Sequence, residues 1–436
     1  MKRIYYFLKF TQLSPLRLGN GGGEDTDSDL KTDGRGLPYI PGSSLAGVLR
    51  SGFSKEKGNA LFGNVDIAKS MQSKSNEAIP SRLLISSAEL KPGADSNEVM
   101  ITVRDGVGLD DWGLTINKAK YDFQVAETMQ PYYAVIEWSG NADEEKAELT
   151  DLFEPYLYSL TQKGISFGAR TSRGYGAMKL EVRKKIFSFP EQLDMWLDYN
   201  PMKERFDMEN QGESLAPSDG PDKGRTEIEI RFVMRDSFNI RVRTSRLEAL
   251  PDGSIPDSVP LMNANGRPVI PGTAWAGAFR HHMHRLLRES GMRETQYENE
   301  INRLDFECFG MSSDKQQAHK LSNIRFSETE ILGGKDNTIM RNAVDRFTAA
   351  PKNTGLFTNQ VWTGGEGILR VTADVQVKEK DIQLLELVIK DMGIGLFSIG
   401  GEAGIGRGMM QLCSVSVDGT DRTGDFVAKE YLYSEE

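Results

Sequence analysis

The sequence predicts two tandem α+β domains, each with the element order of a ferredoxin-like unit. Two internal duplications and the hydrophobic periodicity around them predict this. The stretch LPYIPGSSLAGVLRSGF (37–53) returns as RPVIPGTAWAGAFRHHM (267–283), sharing the frame Ile-Pro-Gly-(Ser/Thr), two residues, Ala-Gly, two residues, Arg. A glycine-rich stretch, GARTSRGYGAMKL (168–180), is matched by GGEAGIGRGMMQL (400–412), with Gly168, Gly174 and Gly176 opposite Gly400, Gly406 and Gly408. Phe62-Gly63 and Phe309-Gly310 form a third, weaker pair in the same order. Matches recurring in one order mark a duplicated domain.

Each repeat opens with a strand. Residues 4–10 and 226–234 alternate at the period of a half-buried strand. A helix follows each Pro-Gly, with Ser43 or Thr273 as the expected N-cap. In the second, Trp275, Phe279, Met283 and Leu286/Leu287 run down one face. Strand patterns follow at 82–90 and 132–138, and a helix over 144–162 precedes the first glycine-rich stretch. Strand, helix, strands, helix, strand is a ferredoxin-like order. The predicted boundaries are 1–190 and 225–425, with a linker region at 191–224 and an acidic tail at 426–436. The linker's core, GESLAPSDGPDKG (212–224), is polar and rich in Gly, Pro and Ser.

A chain of 436 residues with 38% hydrophobic and 27% charged residues is long enough for two cores. No apolar run approaches membrane-spanning length, so no membrane is expected, and the opening residues read as a strand rather than a signal peptide. Cys308 and Cys413 are far apart, which excludes a disulfide framework and implies a reducing, cytoplasmic setting. The net charge of −10 runs against the habit of nucleic-acid binders, which are usually basic. The charge is nevertheless uneven. Acidic residues gather at 24–33, 141–154 and the tail, while arginines cluster as Arg170/Arg173, Arg241/Arg243/Arg246, Arg280/Arg285/Arg288 and Arg341/Arg346.

The Ile-Pro-Gly-Ser-Ser-Leu-x-Gly motif (40–47) before a helix, with a later Gly-x-Gly element, resembles the RAMP superfamily. Within it the chain is most similar to backbone subunits of type III CRISPR effectors, and two such domains in one chain resemble the fused subunits of type III-D complexes. The resemblance implies tandem RNA-recognition-motif-like domains with inserted β-hairpin thumbs, the first at RDGVGLDDWGLTINKAKYDFQV (104–125). It implies three partners: a CRISPR guide RNA, a complementary target RNA and other subunits of the effector. It also implies metal-dependent cutting of the target by a loop aspartate before the Pro-Gly motif, with Mg²⁺ or another divalent cation as cofactor. Carried over, the family pattern falls on Asp27, Asp33 and Pro41-Gly42. In the second repeat Asp257 stands opposite Asp27, and Asn263 replaces Asp33. Ser28 and Ser258 follow the two candidate aspartates.

A carboxylate at Asp27 can hold a cation against a phosphate, and Glu24, Asp25, Asp29 and Asp33 would favour a hard one. The alternative is a solvated acidic loop. An EF-hand is excluded, because Leu30 and Gly36 stand where Gly and Glu are required. The helix starts at Ser43, Ser44 and Thr273 could bind phosphate or be ordinary caps. The glycine-rich elements lack the Lys-Ser/Thr of a P-loop. Their flanking Arg170, Arg173 and Arg407 are candidate phosphate partners, as are the repeated Arg50 and Arg280; Glu402 stands where the first repeat has Arg170. The bland reading of these elements is a tight turn between strand and helix. The trio His281, His282 and His284 reads as a polar or RNA-facing surface, with a histidine base for precursor-RNA processing as the sharper alternative. In the hairpin, Tyr121 and Phe123 are assigned to packing and Trp112 to an RNA contact at the tip. The expected function is a guide-binding subunit that cuts target RNA, with a catalytically silent scaffold and a processing ribonuclease as rivals.

Overall fold

A computed structural model describes residues 1–19, 26, 28–64, 79–93, 99–109, 115–128, 130–217, 224–238, 240–242, 255–310 and 322–427. Asp27 and Trp112 lie outside the described residues. The chain divides into two compact units.

The first unit comprises Met1–Val103, Phe123–Thr171 and Tyr175–Asp222. Its opening strand, Lys2–Gln12, lies between Tyr132–Gly140 and Ala177–Ser188, both antiparallel to it, and Leu83–Ile85 extends the sheet beyond Tyr132–Gly140. The helices Gly42–Arg50 and Lys55–Phe62 connect the first sheet strand to the second, and a helical run ending in Glu154–Lys163 connects the third to the fourth. That run begins at Ala142–Glu144, with Asn141 as its capping residue, and passes through a π-helical stretch, Glu145–Phe153. Strand alternation sorts the core: Ile4, Tyr6, Leu8 and Phe10 pack with Leu45, Leu49, Phe153 and Leu157 under the helices.

The opposite face of this sheet is also covered. Tyr5, Phe7, Val135 and Phe187 pack against Trp196, Tyr199 and Met208. The Trp196 indole N–H donates to the Tyr5 hydroxyl at 2.9 Å, and buried Arg205 reaches Glu89 at 2.7 Å. These residues fall in the expected linker region 191–224, and that boundary is corrected. The helical turns Leu193–Leu197 and Pro201–Glu204 cover the sheet, and Glu213–Ser214 pairs with its fourth strand at Arg183 and Lys184. Trp196 and Tyr199 stand at helical spacing, but Pro201 interrupts the pattern before Met208, so no single strand or amphipathic helix marked their burial.

The second unit comprises Lys223–Glu436 together with Arg104–Asp122 and Ser172–Gly174. The last two segments come from the first repeat, so the boundary at 190 does not describe them. Within this unit the buried Arg104 pairs with Glu328. The sheet order repeats that of the first unit: second strand Ile324–Phe326, third Glu366–Ala373, first Thr226–Met234, fourth Met410–Val417. The helix Gly272–Glu289 buries Trp275, Phe279, Met283 and Leu287 as the periodicity predicts, with Leu286 at the margin. Helices Glu294–Phe309 and Glu379–Gly393 complete the layer.

Between their second and third sheet strands, both repeats insert a β-hairpin. The first pairs Val99–Leu109 with Thr115–Thr128; the second pairs Lys335–Val344 with Pro351–Thr363. Neither helix after the Pro-Gly motif has the predicted cap. Pro41 and Pro271 occupy the N-cap positions, and neither offers a side-chain acceptor to its helix. The glycines are needed for close approach: a Cβ on Gly42 would lie 2.7 Å from the Ile85 carbonyl oxygen, and one on Gly272 2.4 Å from that of Phe326.

Candidate nucleic-acid interface at the hairpin bases

In each repeat the loop before the Pro-Gly motif runs beside the second strand of the hairpin. The Ser28 carbonyl accepts the Gln124 N–H at 3.1 Å, and the Ser258 carbonyl accepts the Gln360 N–H at 3.0 Å. The serines that follow the two candidate aspartates therefore make the same bond, which supports the pairing of Asp27 with Asp257. Asp257 itself is exposed; its carboxylate accepts the Thr358 N–H at 2.8 Å, and its own N–H donates to the Thr358 carbonyl at 2.7 Å. Buried Ser258 donates to the Asn359 side chain at 2.9 Å.

Asp33 and Asn263 are equivalent turn formers. The Asp33 carboxylate accepts the N–H groups of Arg35 and Leu37 at 2.8 and 3.1 Å. The Asn263 amide oxygen accepts those of Asn265 and Arg267, both at 3.0 Å. Either side chain supplies the acceptor, so the change from Asp to Asn leaves the turn intact. Burial raises the Asp33 pKa, but hydrogen bonds from the Arg35 side chain and from the Arg35 and Leu37 backbone outweigh it and hold the carboxyl below its ordinary range. Asp29 turns inward to accept from the Thr26 N–H and hydroxyl at 3.0 and 2.8 Å. Of the four acidic residues expected to draw a cation to the loop, Asp29 and Asp33 thus hold it in shape; Glu24 and Asp25 lie outside the described residues.

The first glycine-rich element joins strand to strand, from Ile165–Ser166 into Ala177–Ser188, and the second passes from the bridge Ser398–Met409 into the strand Met410–Val417; neither leads into a helix, which corrects the strand-to-helix alternative. A Cβ on Gly176 would lie 1.9 Å from the Phe167 carbonyl oxygen, and one on Gly408 1.9 Å from that of Ile399. In both elements the residue two after the first glycine is left-handed, Arg170 at φ 61° and Glu402 at φ 67°. Each turns its side chain onto the hairpin. In the first unit the guanidinium groups of Arg170 and Arg17 lie 5.3 and 4.1 Å from the Phe123 ring centroid, with Tyr175 edge-on. In the second, Glu402 pairs with Arg341 of the hairpin and lies 3.1 Å from Arg407.

Several expected RNA contacts are held internally instead. Arg407 is 6% exposed and spends its Nε on Glu402. Arg50 reaches Asn59 and the Gly63 carbonyl, and Arg280 reaches Asp305 at 3.0 Å. The arginine of the repeated frame therefore ties the first helix of each unit to the second helix or the turn that ends it. Ser43 is exposed and Ser44 and Thr273 are half-buried at their uncapped helix starts, although the Gly42 N–H is taken by the Ser87 hydroxyl at 3.1 Å. Arg173 is half-buried in the turn Thr171–Arg173. His284 is only 4% exposed and bonds Asp305 at 2.8 Å, and His282 bonds Asp391 at 2.7 Å. This corrects the RNA-facing histidine surface, because two of its three rings are buried against carboxylates. Phe123 is buried, as assigned.

Two features escaped the sequence reading. Arg17 has no repeated partner to mark it. The second hairpin carries Phe347, 99% exposed, at a tip where Asp345 accepts the N–H groups of Phe347 and Thr348, both at 3.0 Å. Its signal was present: the pairs Gly333-Gly334 and Gly364-Gly365 bracket the hairpin, all with positive φ.

The sequence profile of the RAMP superfamily matches residues 9–179 and 240–411, one match in each repeat. The chain belongs to the RAMP superfamily. RAMP proteins are CRISPR-associated and bind RNA. No curated protein matches the chain. In this RAMP protein the matched regions include both hairpins and both glycine-rich elements. Among the described residues, no helix is long and apolar enough to cross a membrane, and no group of three or more His, Cys, Asp or Glu side chains is placed to hold a metal.

Proposed function

We propose that this RAMP protein is a guide-RNA-binding backbone subunit of a type III CRISPR effector, resembling type III-D, that cuts target RNA at its loop aspartates. The carrying observation is the repeated bond between the serine after each candidate aspartate and the hairpin, Ser28 to Gln124 and Ser258 to Gln360. It ties the aspartate loop to the element we read as a thumb. The shared strand order, with the first strand between the third and fourth, supports a ferredoxin-like reading of both units. Phe347 at the tip of the second hairpin supplies an exposed ring for base stacking.

The chemistry asks little of the protein beyond position. Asp257 holds one carboxylate oxygen on Thr358, and the other makes no bond among the described residues. A single exposed carboxylate suits a hard cation that keeps most of its waters, and Asp27 and Asp257 are the residues that would hold it. Such a cation would neutralise a non-bridging phosphate oxygen during attack by the neighbouring 2′-hydroxyl. The hairpin and loop would hold the strand so that the hydroxyl and phosphate are aligned. The cytoplasm is the compartment that this role requires.

The test is a cleavage map of target RNA in the reconstituted effector with Asp27→Ala, Asp257→Ala and the double variant. Each single variant should lose one cut position while guide and target binding stay nearly unchanged, because binding is spread over many phosphate contacts. Chelation of divalent metal should abolish both cuts. Unchanged cutting in all variants would leave the silent scaffold as the better account.

A further inference from the structure

The helical extension closing the first unit exposes apolar side chains that the fold leaves unused. Trp196, Tyr199 and Met208 turn inward onto the sheet, and that side is filled. Met195 and Leu197 are 64% and 65% exposed, and Leu193 and Met202 are exposed beside them in sequence. Single exposed apolar residues are ordinary, but these flank an outward ridge: with Trp196 inward, the helical turn Leu193–Leu197 places Met195 and Leu197 on either side of Asp194 and Asp198, and Met202 follows on the turn Pro201–Glu204. Methionine in such a place adapts its shape to a partner.

The charges around them select the partner. Glu191, Asp194, Asp198, Asp207 and Glu209 are exposed, whereas Lys203 is the exposed cation of this stretch and Arg205 is buried against Glu89. Arg3 and Lys185 lie against the Trp196 and Tyr199 rings at 4.4 and 4.0 Å but are half-buried, so the exposed charge of the stretch is mainly carboxylate and disfavours phosphate. The extension is also anchored at the start of the opening strand, where the Phe189 N–H donates to the Met1 carbonyl at 2.9 Å. Arg17, Phe123 and Arg170 gather beyond the other end of that 11-residue strand.

We propose that this face docks a protein partner whose contact surface presents Lys and Arg side chains interleaved with apolar ones. The proposal rests on the reading of the chain as one subunit of a multi-protein effector. Its test is Met195→p-benzoylphenylalanine in the full chain, purified with its assembly, photo-crosslinked and mapped by mass spectrometry. The expected product is an adduct to a different protein subunit, at a segment carrying apolar and basic side chains. Asp194→Lys with Asp198→Lys should lower its yield at least tenfold. An adduct to RNA, an adduct to a second copy of this chain, or no adduct in an intact assembly would overturn it. Binding of guide RNA by the Met195→Ser, Leu197→Ser variant should equal that of the unaltered chain; a tenfold loss would make the face an RNA surface and overturn the proposal. Should the unaltered chain bind no guide RNA yet still give the protein adduct, the functional reading fails and the docking surface stands.

Discussion

The Asp257 carboxylate accepts the backbone N–H of Thr358 at 2.8 Å, so a candidate catalytic group also fastens a loop to the second hairpin. Structure and chemistry can be separated there by choice of substitution. Asp257→Asn keeps an oxygen for the Thr358 N–H and should unfold like the parent, whereas Asp257→Ala should lose about 1 kcal/mol. Both should remove the same cut from target RNA. Thermal melts read the first difference and a cleavage map the second. Full cutting by Asp257→Asn would reduce Asp257 to a loop fastener.

Phe347 is 99% exposed, so Phe347→Ala should leave thermal stability unchanged. Stacking on a base contributes about 1–3 kcal/mol, so affinity for a guide–target duplex should fall roughly tenfold or more. Fluorescence anisotropy with a labelled duplex measures this. Equal affinity would show that the tip does not stack.

The Tyr132 hydroxyl is buried without a hydrogen-bond partner among the described residues, and burial raises its pKa well above the usual phenol value. Removing an unsatisfied buried polar atom is neutral to stabilising, so Tyr132→Phe should gain between about 0 and 2 kcal/mol. Denaturant unfolding reads the sign. A loss above about 1 kcal/mol would mean that the hydroxyl has a partner.

Burial lowers the His282 pKa from its ordinary 6.5, and nearby Arg285 lowers it further against the opposing pull of Asp391 and Glu289. Between the folded value and 6.5 the unfolded chain binds more protons, so stability rises with pH across that window. The contribution is complete above the unfolded pKa and lost as pH falls through the window. The melting temperature of the parent should therefore fall more steeply below 6.5 than that of His282→Gln. Parallel profiles would place the titration elsewhere.

Sequence alone determined the duplication, the strand and helix periods, and the repeated glycine frame, because each is written in local spacing. Gly168, Gly174 and Gly176 and their counterparts Gly400, Gly406 and Gly408 form a repeated frame in the sequence, and the structure shows all six to be left-handed. Pairing Asp27 with Asp257 was legible for the same reason, from their distance to Pro-Gly. Tertiary structure alone decided which charged side chains are committed. Arg50 and Arg280 serve helix packing, Arg407 is buried on Glu402, and His284 is buried on Asp305, although each looked available in the sequence. A long side chain carries no local record of its partner, because that partner arrives from a distant segment: Glu402 meets Arg341, and Trp196 meets Tyr5. Spacing encodes the backbone, and only the closed core assigns the side chains.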